Sequence, residues 1–142
     1  MKYVVLVSHG MFAPGLHNAL GMLAGENRED ILSTSLENGM GADQFAENFR
    51  KLVSGVGKED EILLFADLLG GSPLTVSANV LAQEGLLSQA TMFSGMNLPM
   101  VLTAAMMKDE LSTEELKESL IQESQDGIGE FRIDGLENDD DI

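Results

Sequence analysis

The chain contains no cysteine, and only 8 of its 142 residues are Lys or Arg. The lack of cysteine excludes disulfides, thiolate metal ligands and a cysteine nucleophile, and it fits a reducing cytosol. The 24 acidic residues outnumber the basic ones and give a net charge of -16. A charge of this sign repels nucleic acid and anionic lipid, so we expect any macromolecular partner to present a basic surface.

Long hydrophobic runs are also missing. The longest apolar stretch, residues 99–107, is about half of the roughly 20 residues that a membrane-spanning helix needs. The residues after the N-terminal apolar run do not have the small side chains of a signal-peptidase site. We therefore expect a soluble, cytoplasmic protein.

The length and the 44% hydrophobic content are those of one domain that buries a core without cross-links. No repeat and no linker rich in Pro, Gly or Ser divides the chain. We predict a single domain over residues 1–135, followed by an acidic and disordered tail over residues 136–142.

Unbroken apolar runs predict strands that are buried on both faces of a parallel sheet. These runs cover residues 3–7, 62–66 and 90–93, with a weaker candidate at residues 31–36. Helical patterns alternate with them at residues 14–23, 42–53, 72–83 and 99–107, and a capping box at Ser112 starts another helix. This alternation predicts an α/β fold with a doubly wound, mostly parallel sheet.

Residues 128–133 have a different pattern, because apolar and polar side chains alternate there. Such alternation is typical of a half-exposed edge strand.

Ligands of doubly wound sheets bind beyond the carboxyl ends of the strands, so the residues that follow each strand indicate the function. His9 follows the first strand and Asp67 the third. A single histidine is more often structural than reactive. If these two strands are neighbours, however, the carboxylate can accept from one ring nitrogen and leave the other as a nucleophile.

Gly70, Gly71 and Ser72 come directly after Asp67 and before a predicted helix. They could be an ordinary tight turn. Their backbone amides and the helix N-terminus could also bind the oxygens of a phosphoryl group on His9. The segment lacks the lysine of a P-loop, which argues against nucleotide binding, and we predict neither a metal nor a cofactor.

Three motifs in order resemble the mannose-class IIA components of the sugar phosphotransferase system: residues 7–10, residues 67–73 and residues 94–100. The resemblance implies a phosphocarrier in which His9 takes phosphate from HPr on Nε2 and passes it to a IIB component. Membrane subunits IIC and IID then import the sugar. It further implies that Asp67 orients the ring, that the Ser72 amide contacts the phosphate, and that Met22 and Asn97 belong to the pocket.

The same resemblance implies a sheet in the order 2-1-3-4 and a homodimer. Residues 128–133 would be an antiparallel fifth strand that is exchanged between the two subunits, which would cover an exposed sheet edge. One departure from some family members is the pair Leu68 and Leu69, which stands where they have a hydroxyl and an aromatic side chain.

Three other functions remain to be compared. A dihydroxyacetone-kinase phosphocarrier shares the fold and the strand-end histidine but is not expected to have the Gly-Gly-Ser-Pro turn. A regulatory module would sense phosphorylation of His9 without transfer to IIB. A receiver-like domain would need acidic residues after the first strand, where residues 8–10 offer none.

Overall fold

The computed structural model describes residues 1–134, in which four strands form one parallel sheet. The strands are β1 (Lys2–His9), β2 (Ile31–Leu36), β3 (Glu61–Ala66) and β4 (Ala90–Phe93). Their order is β2-β1-β3-β4, and each pair is parallel. The predicted fold class and strand order are confirmed.

Helices follow the strands, as the alternating pattern predicted. They are α1 (Phe12–Ala24), α2 (Ala42–Leu52), α3 (Ser72–Gln83), α4 (Leu98–Met107) and α5 (Thr113–Asp126), with a short 3-10 turn at Leu87–Gln89. α1 begins two residues before the predicted start at Pro14. Among residues 1–134, no helix is long and apolar enough to cross a membrane.

The sheet has a hydrophobic core on each face. Val4 and Leu6 of β1 face α1, α4 and α5, whereas Val5 and Val7 face α2 and α3. All four side chains are fully buried. Because both faces are covered, successive residues of the strand are all apolar, which explains the unbroken run in the sequence.

The strand order places one crevice at the carboxyl edge of the sheet. β1 lies between β2, which follows it in the chain, and β3, which begins the other half of the sheet. The connections from β1 and β3 therefore leave in opposite directions, and a crevice opens between their carboxyl ends. Residues that follow these two strands come together there.

The C-terminal segment, residues 128–133, is described in a single chain, so its predicted exchange between two subunits stays a prediction. Residues 128–133 form no β-strand in the described single chain, and the side chains of Ile128, Phe131 and Ile133 are exposed. A strand requires a neighbour for its backbone hydrogen bonds, and this segment pairs with none of the four strands within residues 1–134. The tail predicted at residues 136–142 lies outside the described residues.

Candidate functional site

His9 and Asp67 meet in the crevice between β1 and β3. His9 is the last residue of β1, and Asp67 follows the last residue of β3. Asp67 Oδ2 accepts a hydrogen bond from the His9 backbone amide at 3.0 Å and lies 2.9 Å from Nδ1 of the His9 ring. The Leu68 amide donates to the other carboxylate oxygen, Oδ1, at 2.9 Å. The carboxylate is thus fixed on both oxygens and holds the imidazole in one orientation.

This contact determines the tautomer of the neutral ring. An ionised carboxylate can only accept, so Nδ1 of His9 must carry the proton that it donates to Asp67. Nε2 then carries the lone pair and is the nucleophilic atom. The His9 side chain is 44% exposed while that of Asp67 is 15% exposed, so the ring is accessible and its anchor is sheltered.

Asp67 is ionised at neutral pH. Burial raises its pKa, but the hydrogen bonds from the His9 amide and ring, the charge of His9 and the Leu68 amide together outweigh burial. The pKa of the Asp67 carboxyl is therefore held below its ordinary value. A permanent negative charge next to Nδ1 stabilises a ring that becomes positively charged when Nε2 gains a substituent.

Ser8 and Gly10 position the backbone on both sides of His9. The buried Ser8 Oγ accepts from the Ala13 amide at 2.6 Å and donates to the His9 carbonyl at 3.0 Å. Gly10 has a φ of +56°, and its amide donates to the Leu36 carbonyl at 2.9 Å. These contacts join β1, β2 and the start of α1. Sequence reasoning missed the role of Ser8, because a serine five residues before the bonded amide fits no standard capping pattern.

The Gly70-Gly71-Ser72 segment lies against the same ring. Gly71 is the N-cap residue of α3, which begins at Ser72, and no side chain caps this helix in the described structure. Gly71 approaches the Cε1 and Nε2 edge of the His9 imidazole. Uncapped amides and the positive end of a helix dipole therefore lie next to the nucleophilic nitrogen, an arrangement that suits an anion.

Met22, predicted as a pocket residue, lies near the end of α1 in the described chain, and its role in the pocket stays a prediction. α1 begins beside His9 and runs away from it, and Met22 lies ten residues after Phe12, about 15 Å farther along the helix axis. The Met22 side chain is 79% exposed. A single sequence does not show how far a helix carries a residue from the edge at which the helix starts.

Asn97 lies at the start of α4, but its polar atoms are committed elsewhere. Its side-chain oxygen accepts from the Met100 amide at 3.0 Å, and its side-chain nitrogen donates to the Ser124 carbonyl at 3.0 Å. Among the described residues, its hydrogen bonds are with α4 and α5 and not with His9 or Asp67. Asn97 is thus a helix cap that joins α4 to α5. Its predicted role in the pocket is not accompanied by a hydrogen bond to His9 or Asp67.

The second histidine, His17, has a structural contact within the same fold. Its Nδ1 lies 2.7 Å from Ser33 Oγ, across the packing of α1 on β2. Burial lowers the pKa of the His17 ring, which is therefore neutral at pH 7. Among residues 1–134, no three His, Asp or Glu side chains are grouped as a metal site would require.

Comparison with known proteins gives one consistent result. The sequence profile described as "PTS system fructose IIA component" matches residues 3–121. The fructose-specific EIIA component of Bacillus subtilis (strain 168) is 26% identical over 125 residues, which are 88% of this chain and 83% of that protein.

Two solved structures share both the fold and part of the sequence. Phosphotransferase system component EIIA from Streptococcus agalactiae superposes with a TM-score of 0.78 and 27% identity, over 92% of this chain and 98% of that one. The mannose/sorbose specific IIA subunit from Enterococcus faecalis gives a TM-score of 0.74 and 26% identity, over 94% of this chain and 97% of the other.

Proposed function

Because the chain belongs to the family of fructose IIA components of the sugar phosphotransferase system, a family of phosphocarriers in sugar uptake, we propose that His9 is its phosphorylated residue. His9 Nε2 accepts the phosphoryl group from phosphorylated HPr and donates it to a IIB component. The observation that carries the proposal is the 2.9 Å contact between His9 Nδ1 and Asp67 Oδ2, which leaves Nε2 as the nucleophile beside the start of α3.

The transfer needs no proton to leave the ring. The Nε2 lone pair attacks phosphorus, a nitrogen–phosphorus bond forms, and the bond from phosphorus to the donor breaks. Nδ1 keeps its proton throughout, so the phosphorylated ring carries a positive charge that the Asp67 carboxylate stabilises. Donation to IIB is the reverse of these events with a different acceptor.

The phosphoryl oxygens are bound by neutral groups. Amides in the first turn of α3, including that of Ser72, provide hydrogen bonds and the positive end of the helix dipole. The eight Lys and Arg residues all lie outside residues 7–10, 67–73 and 94–100. A site without a fixed cation binds phosphate less tightly, which suits a carrier that must release it.

The surface around His9 favours a protein partner. Met11 and Phe12 follow it at the start of α1, Leu68 and Leu69 follow Asp67, and all four apolar side chains are exposed. Exposed apolar side chains around a reactive group indicate a surface that a protein covers. The net charge of -16 favours a partner with a basic surface, as expected for both HPr and IIB in this proposal.

We also infer a homodimer in the cytoplasm, which serves membrane subunits IIC and IID indirectly through IIB. β4 is an edge strand, and beside it lies a groove of about 350 Å³ lined in part by Met92, Phe93 and Ile121. The exposed, alternating side chains of residues 128–133 suit addition as a strand to that edge in a second subunit.

The function is tested by transfer of ³²P from phosphorylated HPr. The wild-type chain should gain label that is stable in alkali and labile in acid, as a phosphohistidine is, and His9→Ala should gain none. His17→Ala is the matched control and should be labelled like the wild type, because His17 contacts Ser33 on another part of the fold. Full labelling of the His9→Ala protein would exclude the proposal.

A further inference from the structure

Gly71 passes closer to the His9 ring than any other residue type could. A Cβ atom added at Gly71 would lie 2.6 Å from Cε1 and 3.3 Å from Nε2 of His9. Nonbonded carbon atoms in proteins do not approach to 2.6 Å, because the repulsion there is steep. The edge of the imidazole therefore occupies the space that a Cβ atom at residue 71 would need.

The backbone of Gly71 gives no other reason for a glycine. Its φ of -89° and ψ of 159° lie in the extended region, which every residue adopts. Gly41, the N-cap residue of α2, has nearly the same φ and ψ, -82° and 163°, and a Cβ there would meet nothing within 4 Å among the described residues. What distinguishes Gly71 from this second N-cap glycine is the close approach to His9, since the other atom near its Cβ position, Leu68 Cβ at 3.6 Å, is at an ordinary contact distance.

We propose that Gly71 is a positioning residue for the phosphotransfer that His9 performs; this inference rests on the proposed function. The absent Cβ lets the ring lie against the start of α3 with Nδ1 on Asp67 and Nε2 next to the helix amides. Any side chain at residue 71 pushes the ring away. The 2.9 Å contact between Nδ1 and Oδ2 is then lost, and the single tautomer is lost with it.

The cost of a side chain at residue 71 falls on function more than on folding. The atoms that a Cβ would meet belong to the far end of the His9 side chain, which is 44% exposed and can rotate about its χ angles. The backbone of α3 need not move. A displacement of the reacting nitrogen by about 1 Å is enough to slow a reaction on the order of 100-fold.

The experiment compares Gly71→Ala with Gly41→Ala, which add the same methyl group to the N-cap residues of α3 and α2. In ¹⁵N NMR spectra of the unphosphorylated protein, the wild type and Gly41→Ala should show His9 as one tautomer protonated on Nδ1, and Gly71→Ala a mixture. Phosphoryl transfer from HPr should slow by about 10- to 100-fold in Gly71→Ala and by less than about twofold in Gly41→Ala. A wild-type tautomer and rate in Gly71→Ala would overturn the inference.

If Gly71→Ala is unstable, the contact can still be tested by measuring unfolding temperatures. In a double-mutant cycle, Gly71→Ala should lower the unfolding temperature less in a His9→Ala background than in the wild type, because the clashing ring is gone. Equal losses in both backgrounds would contradict the proposed contact. If the wild type is not phosphorylated on His9 at all, the proposed function fails, whereas the NMR comparison still tests the contact.

Discussion

Asp67 connects the fold to the chemistry at the scale of single residues. One carboxylate oxygen accepts from both the backbone amide and the ring of His9, so the end of β1 and the orientation of the imidazole depend on the same atom. The second oxygen is held by the Leu68 amide. These contacts favour the charged form of Asp67. In the proposed function, the acid that orients the ring would therefore also compensate the positive charge of a phosphorylated His9.

Substitution of Asp67→Asn tests this pairing. Asparagine keeps the shape but is neutral, so it neither enforces the Nδ1 tautomer nor stabilises a positively charged ring. Transfer from phosphorylated HPr should slow on the order of 100-fold, measured by rapid-quench labelling. A rate within twofold of the wild type would contradict the assigned role.

The pH dependence of the wild-type rate provides a further check on Asp67 in the same experiment. Because the pKa of the Asp67 carboxyl is lowered, the group is charged at any pH above the ordinary aspartate pKa of about 4. It loses this charge only as the pH falls below that pKa. The ionisation of Asp67 should therefore contribute no change in the wild-type transfer rate above about pH 5, and loss of its charge should slow transfer only at lower pH.

At the scale of elements, α1, α2 and α3 all begin without a side-chain cap from the N-cap residue, and of these N-cap residues it is that of α3, Gly71, whose added Cβ would meet the His9 ring. α4 begins with the Asn97 side chain bonded to the Met100 amide, and α5 begins with a capping box at Ser112. α3 begins at Gly71 without a side-chain cap. The amides of α3 therefore remain available to a ligand, whereas those of α4 and α5 are already used in part.

The C-terminal segment provides the prediction at this scale. If residues 128–133 add to β4 of a second subunit, the wild type should sediment as a dimer at micromolar concentration. A chain that ends at Gly127 should sediment as a monomer, because the strand that joins the subunits is missing. A chain that ends at Asp134 is the control and should remain a dimer. A monomeric wild type would exclude the exchanged strand.

At the scale of the whole molecule, a buried ion network joins the start of β2 to the end of α4. Lys108 Nζ lies 2.8 Å from Asp30 Oδ2, and Arg28 lies 2.9 Å from the same oxygen. The Lys108 side chain is only 2% exposed. The hydrogen bond from Arg28, followed by that from Lys108, holds the pKa of Asp30 well below its usual range, against the opposing effect of burial.

Removal of the Asp30 charge should destabilise the fold. Asp30→Asn leaves Lys108 buried with only the exposed Asp109 as a carboxylate partner, and we expect a loss of about 2–3 kcal/mol in the free energy of unfolding by urea at pH 7. Asp109→Asn is the control, and its loss should be clearly smaller because Asp109 is 70% exposed. Equal losses of unfolding free energy in Asp30→Asn and Asp109→Asn would contradict the importance of burial.

The same network makes the stability of the fold sensitive to acid. Because the folded pKa of Asp30 is lowered, its ionised form contributes stability above the unfolded pKa of about 4, and this contribution declines as the pH falls toward the folded pKa. The difference in stability between the wild type and Asp30→Asn should thus be constant above about pH 5 and shrink below pH 4.

Much of this protein could be predicted from sequence, because the relevant signals are local. Unbroken apolar runs mark strands covered on both faces, and each run ends at the residue where the chain turns polar. Since parallel strands have their carboxyl ends at one edge, His9 and Asp67 are expected at that edge as soon as β1 and β3 are neighbours. The family resemblance supplied the strand order, which the structure confirms.

Tertiary structure alone decided the contacts within the proposed site. The 2.9 Å bond between His9 and Asp67, and the clearance that Gly71 provides, depend on how two loops pack and not on either loop alone. Packing also directed Met22 away from the edge and used Asn97 as a cap. Local sequence determines which element a residue belongs to, whereas the partners of a side chain are determined by the elements that other parts of the chain bring beside it.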